Sequence, residues 1–327
     1  GVGRSRGERH ADGFGHLLTS LRSFSSFWRG IVRKRPLRAL RASVATKRCE
    51  KRTAVYRDEK RYKLYVMTIK QITDVIERFA PLEWQESYDN AGLIVGRPDD
   101  EVHKALLAVD VTEEVLDEAE AEGCDLVITH HPIVFRALKR FNSADPVERC
   151  VERAIRSRIA LYACHTNLDS APGGMSWRLA EMLGVGNLRV LQPSEAGDGA
   201  GFGAVGELPE MVDTLEFMRI IQRRLEVSVV RYSDIATSEV RRVAVCTGAG
   251  ASLIGEARRA GADIYITADM KYNDFMTPDK ALTVADIGHF ESEYCAIQIL
   301  FDILSKNLIT FAVRKSESSR NPVNYLV

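Results

Sequence analysis

The chain has 327 residues, enough for about two domains, and at 45% hydrophobic it can bury a sizeable core. Its 45 Lys+Arg balance 45 Asp+Glu only on average: residues 1–66 carry 18 Lys+Arg against 5 Asp+Glu (+13), and the remainder 27 against 40 (−13). No apolar stretch is long enough to span a bilayer and no secretory core precedes a small-residue cleavage site, so a soluble, non-secreted protein is expected.

Residues 1–66 are rich in Arg and Ser, poor in acids and without sustained periodicity. They admit four readings: a mitochondrial or plastid transit peptide, a basic arm that binds nucleic acid through phosphates, a disordered tail, or an extension foreign to the native protein. The last is the reading taken forward, because Met67 opens the first periodic segment and is a plausible start; it goes with a cytoplasmic location. Six scattered cysteines, Cys49, Cys124, Cys150, Cys164, Cys246 and Cys295, form no C-x-x-C pair. That favours buried thiols in a reducing compartment over a disulfide frame or structural zinc.

From Met67 onward the elements follow in order. Thr68 can cap a helix with apolar positions Ile69, Ile72, Val75, Ile76 and Phe79, and Pro81 follows its end. A polar loop from Glu86 feeds a short strand ending near Gly96. Residues 105–109 form a buried strand that ends in Asp110; Thr112 caps the helix 113–122, on which Glu118 and Glu120 are expected to be solvated charges. Residues 126–129 are a second buried strand, ending in His130, His131 and Pro132. Side chains alternate along a strand, so two adjacent histidines cannot point at one atom, but they can ligate two ions side by side. The plainer reading is a pair of loop histidines facing solvent.

Asp145-Pro146 opens the next helix, and the strand 159–164 ends in His165 and Asp169, the latter readable as an ordinary turn acid. Strand, helix, strand in this rhythm predicts a parallel sheet. The glycine-rich stretch 196–203 lacks the Lys-Ser/Thr of a phosphate-binding loop and reads as a flexible connection. Around it, a helix over 215–225 and a strand over 227–232 suit a small α+β segment. A second unit then runs through a strand at 240–245, the turn 246–252, a strand at 263–267, a polar loop from Asp269 and a strand at 281–287. The turn does not match G-x-G-x-x-G, so a dinucleotide role is not expected. His289 and Glu293 stand four apart at a helix start and share one face, a common arrangement for metal ligands and also a common coincidence.

Assembled, these residues make a constellation: His130, His131, Asp169, His289 and Glu293. Imidazole with carboxylate suits two divalent ions, Zn, Fe, Mn or Ni, with the glutamate shared. Asp110 and Glu86 are candidates to orient a water activated by such a centre.

The stretch 67–327 resembles the Nif-three-like proteins, often labelled GTP cyclohydrolase I type 2 homologues. The resemblance rests on ESYDNAGLIVG, LVITHHPIVF, ACHTNLDSAPGG, CTGAGASLI, GADIYITADMKYND, GHFESE and NPVNYL. It implies an α/β fold of two α/β lobes with mixed sheets flanked by helices and a metal cleft between them, assembled as toroidal homohexamers. The expected segments are 67–190, a first lobe with metal ligands; 191–240, a connection; and 241–327, a second unit completing the site. The resemblance assigns His130 and Asp169 to one ion, His131 and His289 to the other, Glu293 to both, and His165 to a supporting position. Asn273 stands where relatives usually carry His, and Ala204 where they carry a basic residue, both at positions expected to face the cleft. Two functions are compatible: a metal-dependent hydrolase acting on a nucleotide or related heterocycle, and a non-catalytic metal-binding regulatory hexamer. Nucleic acid is not an expected partner.

Overall fold

A computed structural model describes residues 66–326 apart from 196 and 198; the readings of the basic segment fall almost wholly outside these residues. In chain order the main elements are α1 (Ile69–Phe79), β1 (Gly92–Val95), β2 (Lys104–Ala108), α2 (Glu113–Glu122), β3 (Leu126–Thr129), α3 (Pro146–Ser157), β4 (Ala160–Ala163), α4 (Thr166–Ser170) and α5 (Met175–Met182). There follow β5 (Gly186–Pro193), β6 (Gly201–Asp213), α6 (Thr214–Leu225), β7 (Arg231–Tyr232), β8 (Glu239–Ala249), α7 (Ile254–Arg259), β9 (Ile264–Ala268), β10 (Thr283–Asp286), α8 (His289–Glu293), α9 (Cys295–Asn307) and β11 (Ala312–Lys315). Among the described residues no helix is long and apolar enough to cross a membrane.

Two mixed sheets carry the fold. The first has the order β11-β2-β3-β4-β1, parallel except for β1 against β4. The second has the order β5-β6-β8-β9-β10-β7, with a parallel centre of β8, β9 and β10. Alternation along the strands decides which helix each face receives. In the first sheet Leu107 and Ile128 pack with Ile72 and Ile76 of α1 and Leu300 of α9, whereas Leu106 and Val127 pack with Leu116 of α2 and Ala154 of α3. In the second, Val243 and Ile264 meet Phe217 and Ile221 of α6, and Ala244 and Tyr265 meet Ile254 and Ala257 of α7. A side chain the size of leucine or phenylalanine, fully buried in this way, stabilises by about 1.5–3 kcal/mol.

The helix starts follow the sequence signals. The Thr68 hydroxyl accepts from the Gln71 N–H in a reciprocal capping box, Thr112 Oγ1 accepts from Val115, and Asp145 accepts from Glu148 with Pro146 in the first turn. Three expectations differ. The stretch 191–240 is no mere connection, since β6 is a thirteen-residue strand in the second sheet. The glycines of β6 serve close approach rather than looseness: a Cβ on Gly206 would lie 2.3 Å from the Gly186 carbonyl oxygen, and one on Gly201 would lie 2.2 Å from that of Gln192. The strand expected over 227–232 shortens to Arg231–Tyr232, because only that edge pairs with β10. Third, residues 241–327 serve both sheets, since α9 and β11 return to the first.

That return gives Glu118 a structural role in place of the solvated one expected. Its carboxylate accepts the Ser316 hydroxyl (2.7 Å) and the N–H groups of Glu317 (3.0 Å) and Ser318 (2.9 Å), locking the segment after β11 against α2. Burial pushes the Glu118 carboxyl up, but these donors outweigh it and hold it below its usual range. Glu120 is likewise engaged, by the Arg153 guanidinium and the Ser157 hydroxyl.

Candidate metal centre

The carboxyl ends of parallel strands are where open α/β sheets collect ligands, and here both sheets deliver side chains to one cluster. His130 and His131 follow β3, His165 follows β4, and His289 opens α8 just after β10. Two glycines make room. Gly288 turns the chain into α8 with φ +90°, and Gly248, at φ +62°, lies so near Glu293 that a Cβ there would sit 2.3 Å from Oε1. The Gly248 N–H donates to Ser292 Oγ (2.9 Å), which fixes the turn against α8.

All four imidazoles are held by the same device. His130 Nδ1 contacts the Cys164 carbonyl oxygen (2.9 Å), His131 Nδ1 an Asp110 oxygen (2.7 Å), His165 Nδ1 an Asp89 oxygen (2.7 Å) and His289 Nδ1 an Asp269 oxygen (2.8 Å). An acceptor at each Nδ1 sets the tautomer with its proton there, so each Nε2 presents a lone pair. Those lone pairs converge. His131 Nε2 and His289 Nε2 lie 3.4 Å apart, and Glu293 Oε2 is 2.9 Å from each. His130 Nε2 is fully buried without a hydrogen-bond partner, 3.7 Å from Glu293 Oε1 and 3.8 Å from Asp169 Oδ1.

Several acceptors facing one another at such distances repel unless positive charge lies between them. The titration behaviour shows the same demand. Burial draws the His131 imidazolium down, but Asp110 and Glu293 more than offset it and raise the group to about 10. At His289 burial is likewise outweighed, by Glu293 and Asp269, which raise it to about 9. His130 is pulled down by burial and pushed further up by Asp169 and Glu293. Burial would raise Glu293, yet the three imidazoles hold it well below the carboxylate range. Burial pushes the Asp169 carboxyl up. Without another cation, protons must fill the cluster.

The donor set fits metal ions. Two groups, His130/His131/His165 and His131/His289/Glu293, keep their ligand atoms within 4.8 Å of one another and could each hold a metal. Separations of 2.9 and 3.4 Å match neighbouring ligands on one ion with bonds of about 2.0–2.2 Å. His165 stands nearer the centre than a supporting position implies: its ring centroid lies 5.3 Å from that of His130 and 5.4 Å from that of His131. Asp110, a candidate for orienting a water, contacts the His131 ring. Glu86 does not reach the cluster through any hydrogen bond or ion pair of its carboxylate; its backbone N–H donates to Thr166 Oγ1 (2.9 Å). Asp89 takes the place beside His165.

Asp89 and Asp269 were not singled out in the sequence, although Asp269 directly follows β9 just as Asp110 closely follows β2. Ala204 does not face a cleft: it is fully buried inside β6, between β5 and β8. Asn273 is exposed on the turn beyond Asp269. On the His289 side the cluster opens to a cavity of about 350 Å³, lined among others by Arg231, Asp269, Asp286, Glu291 and Tyr325.

The model of the family described as Duf34/NIF3 (NGG1p interacting factor 3) matches residues 67–322. The chain belongs to the Duf34/NIF3 family. A Clostridium perfringens member called GTP cyclohydrolase 1 type 2 homolog is 34% identical over 265 residues, covering 80% of this chain and 100% of that protein. The NIF3-like protein 1 of Drosophila melanogaster is 30% identical over 238 residues, 71% of this chain and 80% of its own. The crystal structure of a Bacillus cereus protein related to NIF3 shares the Duf34/NIF3 fold, with a TM-score of 0.74 at 23% identity over 80% of this chain and 100% of that one.

Proposed function

We propose that this Duf34/NIF3 protein is a metal-dependent hydrolase with two divalent ions, acting on a nucleotide or related heterocycle. His130 and Asp169 would hold one ion, His131 and His289 the other, and Glu293 both. The observation that carries the reading is the set of four imidazoles with Nδ1 engaged, three of which, His130, His131 and His289, turn Nε2 toward the carboxylates of Glu293 and Asp169. Nitrogen and oxygen donors of this kind suit Zn, Fe, Mn or Ni. When bound, such ions supply Lewis acidity and lower the pKa of a coordinated water toward neutrality.

The remaining work falls to the chain. Asp110 and Asp269 orient the rings of His131 and His289 and raise their basicity. His165, fixed by Asp89 beside the rings of His130 and His131, can take a proton from a nucleophile and return it to a leaving group. The name GTP cyclohydrolase 1 type 2 homolog, carried by relatives such as the Clostridium perfringens protein, favours a nucleotide substrate. The five described cysteines are free and buried, which supports a reducing compartment such as the cytoplasm. A toroidal homohexamer is part of the same proposal, on the resemblance of the motifs.

The test is elemental analysis of purified protein, followed by a turnover screen against nucleotides in the presence of each candidate metal. Hydrolysis that disappears in His131→Ala and survives in a distant control such as Lys70→Ala is the expected result. Two ions per chain with no turnover of any substrate would favour the non-catalytic regulatory reading; no metal at all would remove both.

A further inference from the structure

The segment between β3 and α3, residues 133–145, is an irregular surface loop that begins two residues beyond His131. From Ile133 to Ala144 it contains no acid, and it holds three exposed cations, Arg136, Lys139 and Arg140. None of the three has an ion pair or hydrogen bond to a described residue. Nearby helix arginines behave otherwise: Arg149 pairs with Glu113, Arg153 with Asp117 and Glu120, and Arg156 with Glu152. The loop therefore keeps its charge unspent.

Aromatic surface accompanies that charge. Phe135 is 48% exposed and Tyr88 64% exposed, although large apolar rings are ordinarily drawn inside. The two rings stand 6.4 Å apart at 67°, and Phe135 meets the His165 ring at 6.1 Å and 85°. Asn90 Nδ2 donates to the Val134 carbonyl (2.7 Å), tying the Tyr88 loop to the basic one. An aromatic ledge thus lies directly beside the histidine cluster, with unpaired cations on the same loop. Bases stack on such rings, and flanking Lys and Arg take phosphates. The cavity on the opposite flank has the wrong charge for a polyanion, because Asp269, Asp286 and Glu291 line it with Arg231 as the lone cationic Arg or Lys.

We propose that loop 133–145 and Tyr88 form the binding subsite for a nucleoside polyphosphate: the base packs against Phe135 and Tyr88, and the phosphates rest on Arg136, Lys139 and Arg140. This rests on the reading of the neighbouring cluster as a hydrolytic metal centre and supplies its substrate class. A free nucleotide is the ligand rather than a nucleic-acid strand, since among the described residues Phe141, 58% exposed on the same loop, makes no ring contact that would extend the Phe135–Tyr88 pair into a track.

The test is equilibrium binding to the full chain, metal-loaded, of ATP and GTP, of adenosine and guanosine, of inorganic triphosphate and of a short single-stranded oligodeoxynucleotide. Removing the cations together (R136A, K139A and R140A) should weaken the triphosphates about tenfold or more, flatten their salt dependence and leave nucleosides unchanged. Phe135→Ala should weaken nucleosides and nucleotides alike by about tenfold and leave inorganic triphosphate unchanged. Phe135→Trp should restore affinity. Metal content and thermal midpoint should stay at the native level in all variants. Nucleotide affinity indifferent to both changes overturns the subsite, and so does binding of the oligonucleotide with none of free nucleotides. Binding that obeys both variants without any turnover sinks the hydrolase reading and leaves the subsite standing. Turnover of a substrate whose affinity ignores both variants does the reverse.

Discussion

The histidine cluster has a covered side and an open side. On the covered side stand His130, with no exposed side-chain surface, and His165, pinned by an Asp89 side chain that is also completely covered, both from the first sheet. On the open side stand His131 of the same sheet, 24% exposed beside a 42% exposed Asp110, and His289 of the second, 36% exposed with its 54% exposed partner Asp269 at the edge of a cavity. Both sides place an acceptor at Nδ1, the Cys164 carbonyl for His130 and a carboxylate for the other three, so enclosure separates them more than chemistry does. A covered half fixes position and resists exchange, whereas an open half admits solvent and ligand. Glu293, on α8 and 4% exposed, stands between the two.

The comparison is most exposed to failure at Glu293. Glu293→Gln should strip both ions from purified protein, read by elemental analysis, because the one side chain reaches His130 on the closed side and His131 and His289 on the open side. Retention of a full complement would break the idea of a shared ligand. Dialysis against a chelator sharpens the contrast between halves: the ion at His131 and His289 should leave first, and equal loss rates would remove the distinction. Asp269→Asn should weaken metal binding at the open position by about tenfold to a hundredfold, measured by competition with a chromophoric chelator, with the closed position little changed. Acid should also release the ions, since His131 and His289, raised to about 10 and about 9, bind protons in competition with metal.

Smaller effects concern support. Glu118→Gln should cost about 1 kcal/mol in denaturant unfolding, because the part-exposed N–H groups of Glu317 and Ser318 lose a charged acceptor, and should leave metal content intact. Burial pushes the Asp89 carboxyl up, yet His165 and Thr166 draw it down to about 2. A carboxyl lowered on folding stabilises at pH above its unfolded value near 3.8 and loses that contribution as pH falls toward 2. The contribution is roughly 2 kcal/mol. Native protein should therefore lose stability over that acid range relative to Asp89→Asn; parallel curves for the two would show that the contact contributes nothing.

Much of this could be read before any coordinates. Strand ends are legible because buried strands are short apolar runs and the polar residue that stops them is conspicuous, which is why Asp110, His130, His131 and His165 stand out. Capping residues mark helix starts equally well, as Thr68, Thr112 and Asp145 do. The partners of the imidazoles were harder to see. Asp89 lies in a loop far along the chain from His165, and nothing in sequence says which of many loop acids folds against which ring. Asp269 was within reach, since the rule applied to β2 applies to β9. The glycines of β6 were misread because composition cannot separate a slack segment from one whose neighbour lies too close for a side chain. Glu118 and Ala204 show the same limit: their surroundings come from β11 and β5, both distant or unforeseen in sequence.

The placement of β11 has a temporal consequence. The strand that flanks β2, and so supports the edge leading to Asp110, is made of residues 312–315, while His289 and Glu293 also come from the last fifth of the chain. During synthesis on the ribosome, β1 to β4 can gather early, but their sheet lacks its outer neighbour and the histidines lack their shared carboxylate. On the proposed two-ion reading, the full ligand set is therefore complete only once residues 289–293 have been made, well after β1 to β4.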